Sequence, residues 1–171
     1  MRTSGFTFLE LLVTLTVASV LLLLGIPGLQ YLLADSALQT EGFTLHQALH
    51  RARTQAIDHQ TDVIACLANR QEQCATQDFT HLLLFSDVDQ NRQLSVQDKG
   101  DIILLRSPLS GNALNITTNQ LLFVFQPDGT LAGTPGTIHL CSPRINEGTN
   151  ITIAMSGRVR RQTVDCPDAQ P

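Results

Sequence analysis

The chain begins with an apolar run whose length matches a membrane-spanning helix. No residue from Leu11 to Ala34 is charged, and residues 6–26 form 21 mainly apolar positions. As an α-helix this run would extend about 31 Å, which is the thickness of the hydrocarbon core of a bilayer. It contains one carboxylate, Glu10, and a charge in hydrocarbon costs free energy. The run therefore predicts a transmembrane helix in which Glu10 has a specific purpose.

The helical pattern continues beyond this run. Pro27 lacks an amide donor and predicts a bend or weakening of the helix. After it, an apolar stripe at helical spacing predicts a half-buried helix that ends near His59. The stripe consists of Leu38, Leu45, Leu49, Ala52 and Ala56, and we assign to the polar face Gln39, Glu41, Gln47, Arg51 and Arg53. We interpret His46, His50 and His59 as exposed histidines, because no cysteine or carboxylate cluster accompanies them as metal ligands.

After His59 the pattern changes to short β-rich runs that are separated by turn residues. These runs predict seven strands, near residues 62–67, 81–85, 102–106, 121–126, 137–141, 151–155 and 158–164. We therefore expect an α+β fold in which a long N-terminal helix packs by its second half on an antiparallel β domain. The expected segments are a membrane helix at 6–28, an amphipathic helix at 29–60 and a β-rich domain at 61–171.

Composition narrows the possible functions. Apolar residues make up 43% of the 171 positions and charged residues 15%, which excludes a disordered chain. The net charge of −4 excludes polyanion binding by bulk charge, so any affinity for nucleic acid would have to be local. The sequence contains neither a glycine-rich phosphate loop nor a nucleophile motif, and we expect neither enzymatic activity nor a cofactor.

Four cysteines are enough for two disulfides, and four cysteines allow three pairings. Cys66 and Cys74 enclose a polar turn, and Cys141 and Cys166 flank the last hairpin. Proximity across these turns favours Cys66–Cys74 with Cys141–Cys166. A zinc site is the alternative, but the short spacing typical of zinc-binding cysteine pairs is missing from the sequence.

The N-terminal residues carry a processing motif. A short basic leader ends in Gly5 and is followed by Phe6-Thr7-Phe8-Leu9-Glu10. This segment resembles the class III signal of type IV pilins and type II secretion pseudopilins. The resemblance implies that a prepilin peptidase removes residues 1–5 and methylates Phe6, and that Glu10 serves subunit assembly by pairing with the terminal ammonium of a neighbouring Phe6. The alternatives are a secretory signal cut near residues 34–37 and a plain single-span anchor.

The remainder resembles the GspH/FimT family of minor pilins and pseudopilins. The resemblance rests on a Cys-flanked first hairpin, a strand with Arg106 after an Asp-rich loop, the turn from Phe125 to Thr130 and a late Ser156-Gly157-Arg158. It implies a pilin fold and other pilin subunits as partners. It also implies a single-pass protein of the bacterial inner membrane with a periplasmic globular domain, which moves to a cell-surface pilus on assembly.

Residues 87–98 fit much of a twelve-residue calcium loop. The candidate ligands are Asp87, Asp89, Asn91 and Asp98. Arg92 stands at the sixth position, where the glycine of the sharp turn belongs, and it places a positive charge beside the ion. We therefore expect no strong calcium site here, and we interpret the segment as a solvated connection between strands.

The C-terminal part holds a local excess of positive charge. Between residues 144 and 164 there are four arginines and one acidic residue, Glu147. Around Gly157 the Gly-Arg-x-Arg step resembles the FimT branch of the family, minor pilins associated with DNA uptake in natural transformation. We therefore predict non-specific binding to the DNA backbone through Gly157, Arg158, Arg160 and Arg161, with Arg144 as a further contributor. The alternative is a structural or assembly-priming minor pilin, or a type II secretion pseudopilin, without DNA binding; the arginines would then only protect an edge strand.

Overall fold

The computed structural model describes residues 7–95, 100–109 and 114–166. It opens with helix α1, Phe8–His59, whose 52 residues correspond to a length of about 78 Å. Thr7 caps the helix, and its hydroxyl accepts a hydrogen bond from the Glu10 amide at 3.3 Å. Gln60 ends the helix in the left-handed conformation, with φ of 52°. The predicted end at His59 is confirmed, and α1 has no break at position 27.

α1 has two halves with opposite environments. From residue 8 to 33 the described side chains are exposed, and Ala34 is the first buried one. Within the described ranges, α1 is the one helix that is long and apolar enough to cross a membrane. All five residues of the predicted stripe in its second half are fully buried: Leu38, Leu45, Leu49, Ala52 and Ala56. The predicted polar face was wrong at two positions, because Glu41 is buried and Arg53 is half-buried. His46, predicted to be exposed, is half-buried as well.

Nine strands follow α1 within the described residues. Their bounds are β1 Val63–Ala68, β2 His81–Ser86, β3 Ile102–Pro108, β4 Asn115–Thr118, β5 Phe123–Phe125, β6 Leu131–Ala132, β7 Gly136–Ser142, β8 Glu147–Ile153 and β9 Val159–Asp165. They form a first sheet of order β3-β2-β1-β5-β6 and a second sheet of order β4-β7-β8-β9. All pairings are antiparallel, as expected.

Each of the seven predicted strands corresponds to an observed one, but β4 and β6 were not predicted. β4 has the sequence Asn-Ile-Thr-Thr and β6 only two residues, so neither shows the alternation that marks a strand. β8 begins at Glu147, four residues before the expected start. Its first part was not predicted, because Gly148 and Asn150 are residues typical of turns and rare in strands.

The main core lies between α1 and the inner faces of both sheets. It joins the helix stripe to apolar side chains of β1, β2, β7 and β8, among them Val63, Ala65, Leu82, Leu84, Ile138, Leu140, Ile151 and Ile153. A second cluster, which includes Ile64, Cys66 and Phe85, covers the outer face of the first sheet, and the half-buried Leu94 packs against this cluster. The outer face of the second sheet is polar instead, with His139, Arg160 and Gln162 exposed.

Both disulfides have the pairing that the sequence favours. Cys66 is bonded to Cys74, with Cα atoms 5.5 Å apart, and Cys141 is bonded to Cys166, with Cα atoms 5.8 Å apart. The second bond links β7 to the residue after β9, and so it spans β8, which lies between them. The end of the last strand is thereby tied to the sheet.

Candidate nucleic-acid interface

The turn between β8 and β9 presents the predicted Gly-Arg-x-Arg step. The Ala154 amide donates to the Arg158 carbonyl at 3.0 Å, and the Gly157 amide donates to the Ala154 carbonyl at 2.9 Å. Gly157 has φ of +69°, and a Cβ at this position would collide with the carbonyl oxygen of Gly129. Glycine is therefore required here by backbone conformation and by space.

Three distant parts of the chain meet at this turn. Arg53 of α1 donates from Nε to the Gly129 carbonyl at 2.9 Å, and Gly129 belongs to the turn between β5 and β6. The Leu131 amide of β6 donates to the Met155 carbonyl at 2.8 Å. The turn of residues 125–130 and the Ser-Gly-Arg turn were both recognised in the sequence. The sequence does not predict that these two turns meet at Arg53, because no local sequence pattern indicates such a contact.

The turn between β5 and β6 also carries a carboxylate. The Thr130 hydroxyl donates to Asp128 at 2.7 Å and the Thr130 amide at 2.8 Å. These hydrogen bonds favour the ionised form and hold the pKa of Asp128 below its ordinary value. One negative charge therefore lies beside the Gly129 contact.

The three arginines after Gly157 lie on both faces of β9, the edge strand of the second sheet among the described residues. Arg158 precedes the strand, and Arg160 pairs with Thr152 on the outer face. Arg161 faces the helix, and its Cδ would lie 3.7 Å from a Cβ placed on Gly42. All three side chains are exposed. We call Arg158, Arg160 and Arg161 the arginine edge.

The structure separates Arg144 from the arginine edge. Arg144 is exposed in the turn between β7 and β8, at the opposite end of the second sheet. Next to this turn, Glu147 accepts a hydrogen bond from the Tyr31 hydroxyl at 3.1 Å. Tyr31 precedes Arg53 by 22 residues, or about 33 Å of helix. Of the four candidate arginines, the fold brings three together.

The Asp-rich loop brings together a different set from the predicted one. Asp87, Asp89 and Asp101 place carboxylate oxygens within 4.8 Å of one another, whereas Asp98 lies outside the described residues. The sequence did not indicate Asp101, because this residue lies outside the twelve-residue pattern, three positions after its last residue. Burial is the main cause that raises the pKa of Asp87.

Backbone amides donate hydrogen bonds to the two buried carboxylates of this loop. Asp87 accepts hydrogen bonds from the amides of Asn91 and Arg92 at 3.2 and 3.0 Å. Asp101 accepts from the amides of Val88 and Ser95 at 2.9 and 2.8 Å. These bonds close the loop and position Leu94 over the first sheet. The arrangement is that of a structural loop, whose carboxylates could also present oxygen ligands to a hard cation.

The N-terminal site residues are only partly described. Gly5 and Phe6 lie outside the described residues. Glu10 is exposed in the first turn of α1, three residues after the cap Thr7. A carboxylate here interacts favourably with the helix dipole, and the Thr-x-x-Glu spacing is that of a capping box.

Comparison with known proteins places the chain in a family. The family model described as "Type II transport protein GspH" matches residues 44–157. No curated protein sequence matches the chain. Two crystal forms of the type IV minor pilin FimU of Pseudomonas aeruginosa share the fold. The first has 16% identity and a TM-score of 0.55 over 78% of this chain and 97% of FimU.

The second FimU form has 17% identity and a TM-score of 0.54 over 76% of this chain and 100% of FimU. The minor pseudopilin EpsH of Vibrio cholerae also matches, with 14% identity and a TM-score of 0.48 over 73% of this chain and 95% of EpsH. The likeness to FimU confirms the predicted pilin fold. Because the family model covers more than half of the chain, the protein belongs to the GspH family of minor pilins and pseudopilins, which are structural subunits of pilin fibres and not enzymes.

Proposed function

We propose that this protein is a minor type IV pilin that captures DNA without sequence preference, for uptake in natural transformation. The observation that carries the proposal is the arginine edge, three exposed guanidinium groups along the strand that forms the edge of the second sheet in the described part of the chain. In the described part of the chain, none of the three has a carboxylate within ion-pair distance. The family match ends at residue 157, so the arginine edge lies beyond the segment that this chain shares with the family model.

The geometry suits contacts with phosphates. Arg158 and Arg160 are two positions apart, which separates their Cα atoms by about 6–7 Å along a strand and matches successive phosphates. Guanidinium groups bind phosphate oxygens in a bidentate manner. The arginine edge includes no aromatic side chain for base stacking and no helix that could enter a major groove. Binding should therefore be weak, independent of sequence and sensitive to salt.

Processing and assembly complete the proposal. A prepilin peptidase removes residues 1–5 and methylates Phe6, and residues 6–28 anchor the chain in the inner membrane. Residues 29–60 and 61–171 then form the periplasmic part until the subunit joins a surface pilus. Glu10 pairs with the terminal ammonium of a neighbouring subunit. The exposed apolar half of α1 supports this arrangement, because it needs a bilayer or other helices to cover it.

The test measures DNA binding by the full-length chain in a non-ionic detergent. With fluorescence anisotropy on a duplex of arbitrary sequence, three phosphate contacts should give a slope of log K against log salt near −2.7. Affinity should fall about forty-fold from 50 to 200 mM salt. Each Arg→Gln change in the arginine edge should weaken binding and flatten the slope by about 0.9, equally on unrelated sequences.

Two other arginines provide matched controls. Arg51 lies on the helix beside Leu105 of β3, and Arg144 lies at the far end of the second sheet. Arg51→Gln and Arg144→Gln remove the same charge away from the arginine edge and should leave the slope unchanged. A triple Arg158→Gln/Arg160→Gln/Arg161→Gln variant that keeps its circular dichroism spectrum and binds DNA like the parent would refute DNA capture.

The second candidate is a structural or assembly-priming subunit, in a pilus or in a type II secretion machine, without a ligand of its own. The description of the matching family as a type II transport protein favours it. Gene neighbourhood discriminates the two machines: pilus minor-pilin genes beside this gene support the first, and secretion-system genes the second.

A further inference from the structure

α1 and β9 lie side by side in opposite directions. At one end Arg161 passes over Gly42, and at the other Arg53 Nε lies 3.1 Å from the position of a Cβ on Gly157. The helix covers eleven residues between these contacts and the strand four. These correspond to about 16 Å of helix and about 14 Å of strand. The two elements therefore pack side by side along this length, with buried Val159 in the strand between the two contacts; we call the surface along their junction the groove.

Two histidines occupy the helix side of this groove. His46 follows Gly42 by four residues and His50 precedes Arg53 by three, spacings that keep all four residues on one flank of a helix. The rings of His46 and His50 are in edge contact, with centroids 4.7 Å apart. His46 is half-buried and His50 exposed.

The groove contains basic groups on both sides and no acidic residue within either segment. Neither residues 42–57 of α1 nor residues 158–164 include Asp or Glu. Arg53 acts on His50 from the same helix. The charged groups on the elements beside it are Arg158 and Arg161, before and within β9, and Asp128 in the turn between β5 and β6. Asp128 is the single carboxylate among these described neighbours, and it lies at the end near Gly129.

We propose that this groove is part of the phosphate-binding surface, so that DNA lies along the edge of β9. Arg158 and Arg160 contact the DNA from the outer face of the sheet. Arg161, His46 and His50 contact it from the helix side. This inference rests on the proposed function and adds to it a dependence on pH. Protonated imidazoles supply charge for phosphates in mildly acidic conditions, and neutral imidazoles do not.

The direction of the effect follows from the charges. Burial, then His46 and Arg53, lower the pKa of His50, which favours the neutral ring in the free protein. A bound phosphate favours the charged imidazolium and raises the pKa again. Binding therefore takes up protons, and affinity must rise as the pH falls through the histidine range.

The test compares DNA binding by the full-length chain in a non-ionic detergent at pH 7.5 and pH 5.0. For the parent, the slope of log K against log salt should become steeper at pH 5.0 by up to about 1.8, since two imidazoles each add about 0.9. The His46→Gln/His50→Gln variant should show the pH 7.5 slope at both pH values. His50→Gln alone should lose about half of the change.

His59→Gln is the matched control. His59 follows His50 by nine residues, which places it on the opposite flank of the helix, and it should behave like the parent. All other titratable groups are the same in every variant, so the difference between parent and double variant isolates the groove. If the folded double variant keeps the parental steepening, the groove inference is overturned while DNA binding at pH 7.5 stands. A parent that binds DNA at neither pH overturns the proposed function, and this inference with it.

Discussion

At the scale of single residues, Gly157 is the most constrained position of the candidate site. Gly157→Ala puts a methyl group on a residue with φ of +69° and drives it into the Gly129 carbonyl. The left-handed conformation costs about 1–3 kcal/mol and the overlap a further 1–3 kcal/mol. We expect the free energy of unfolding to fall by about 2–6 kcal/mol, measured by chemical denaturation with the disulfides intact.

Gly133→Ala separates the two contributions. Gly133 also has a positive φ, +101°, but nothing lies within 4 Å of its Cβ position. In Gly133→Ala the free energy of unfolding should fall only by the cost of the left-handed conformation, about 1–3 kcal/mol. Equal losses for both variants would show that the Gly129 contact does not constrain the turn.

The sequence predicted which residues form this turn but not what the turn touches. Gly157 as a turn residue and the alternation of Arg158 with Arg160 follow from local rules. The contact with Gly129, 28 residues earlier, depends on how β6 meets the loop before β9. Arg53 was assigned to a solvated face because helical periodicity locates a side chain by its Cα, and a long arginine reaches across to a distant carbonyl.

At the scale of elements, α1 was predicted well because its signals are long and redundant. The charge-free run and the stripe of buried residues each extend over several turns. A single residue that departs from either pattern therefore does not change the prediction of a helix that ends at His59. The short β4 and β6 are defined by their partners, β7 and β5, and the sequence within them holds no signal of its own.

Glu10→Val tests the separate roles of the first turn of α1. Membrane insertion should be unchanged or stronger, because a charge leaves the hydrocarbon. Incorporation into fibres should fall, because the proposed pairing with a neighbouring terminus is lost. Membrane fractionation measures the first effect, and immunoblotting of sheared fibres measures the second.

Glu10→Gln is the conservative counterpart, since it removes the charge but keeps a polar side chain at the third helical position. It should lower incorporation like Glu10→Val. Normal incorporation of both variants would contradict the role of the charge in assembly.

At the scale of the whole molecule, charge is separated along the second sheet. Arg53 and the arginine edge outnumber Asp128 at one end of β9. Asp165 and Glu147 outnumber Arg144 at the other end, near Tyr31 and the start of the buried part of α1. The net charge of −4 hides this separation, which composition could not reveal.

Intact mass tests the whole-chain processing. Protein from the native host should begin at Phe6 and carry one added methyl group, because Gly5 precedes the membrane run. The same chain expressed without a prepilin peptidase should keep residues 1–5. A mature terminus near Ser36 would contradict the pilin interpretation.

The bond between Cys141 and Cys166 has a mechanical consequence. Under the proposed function, DNA that is drawn toward the cell pulls on β9 through its arginines. An edge strand with a free end peels away one hydrogen bond at a time, under little force. Here the turn at residues 154–158 closes one end of the hairpin and the disulfide fixes the other to β7. The ladder bonds of β9 must therefore yield together, so the strand transmits tension to the sheet and, through α1, to the fibre.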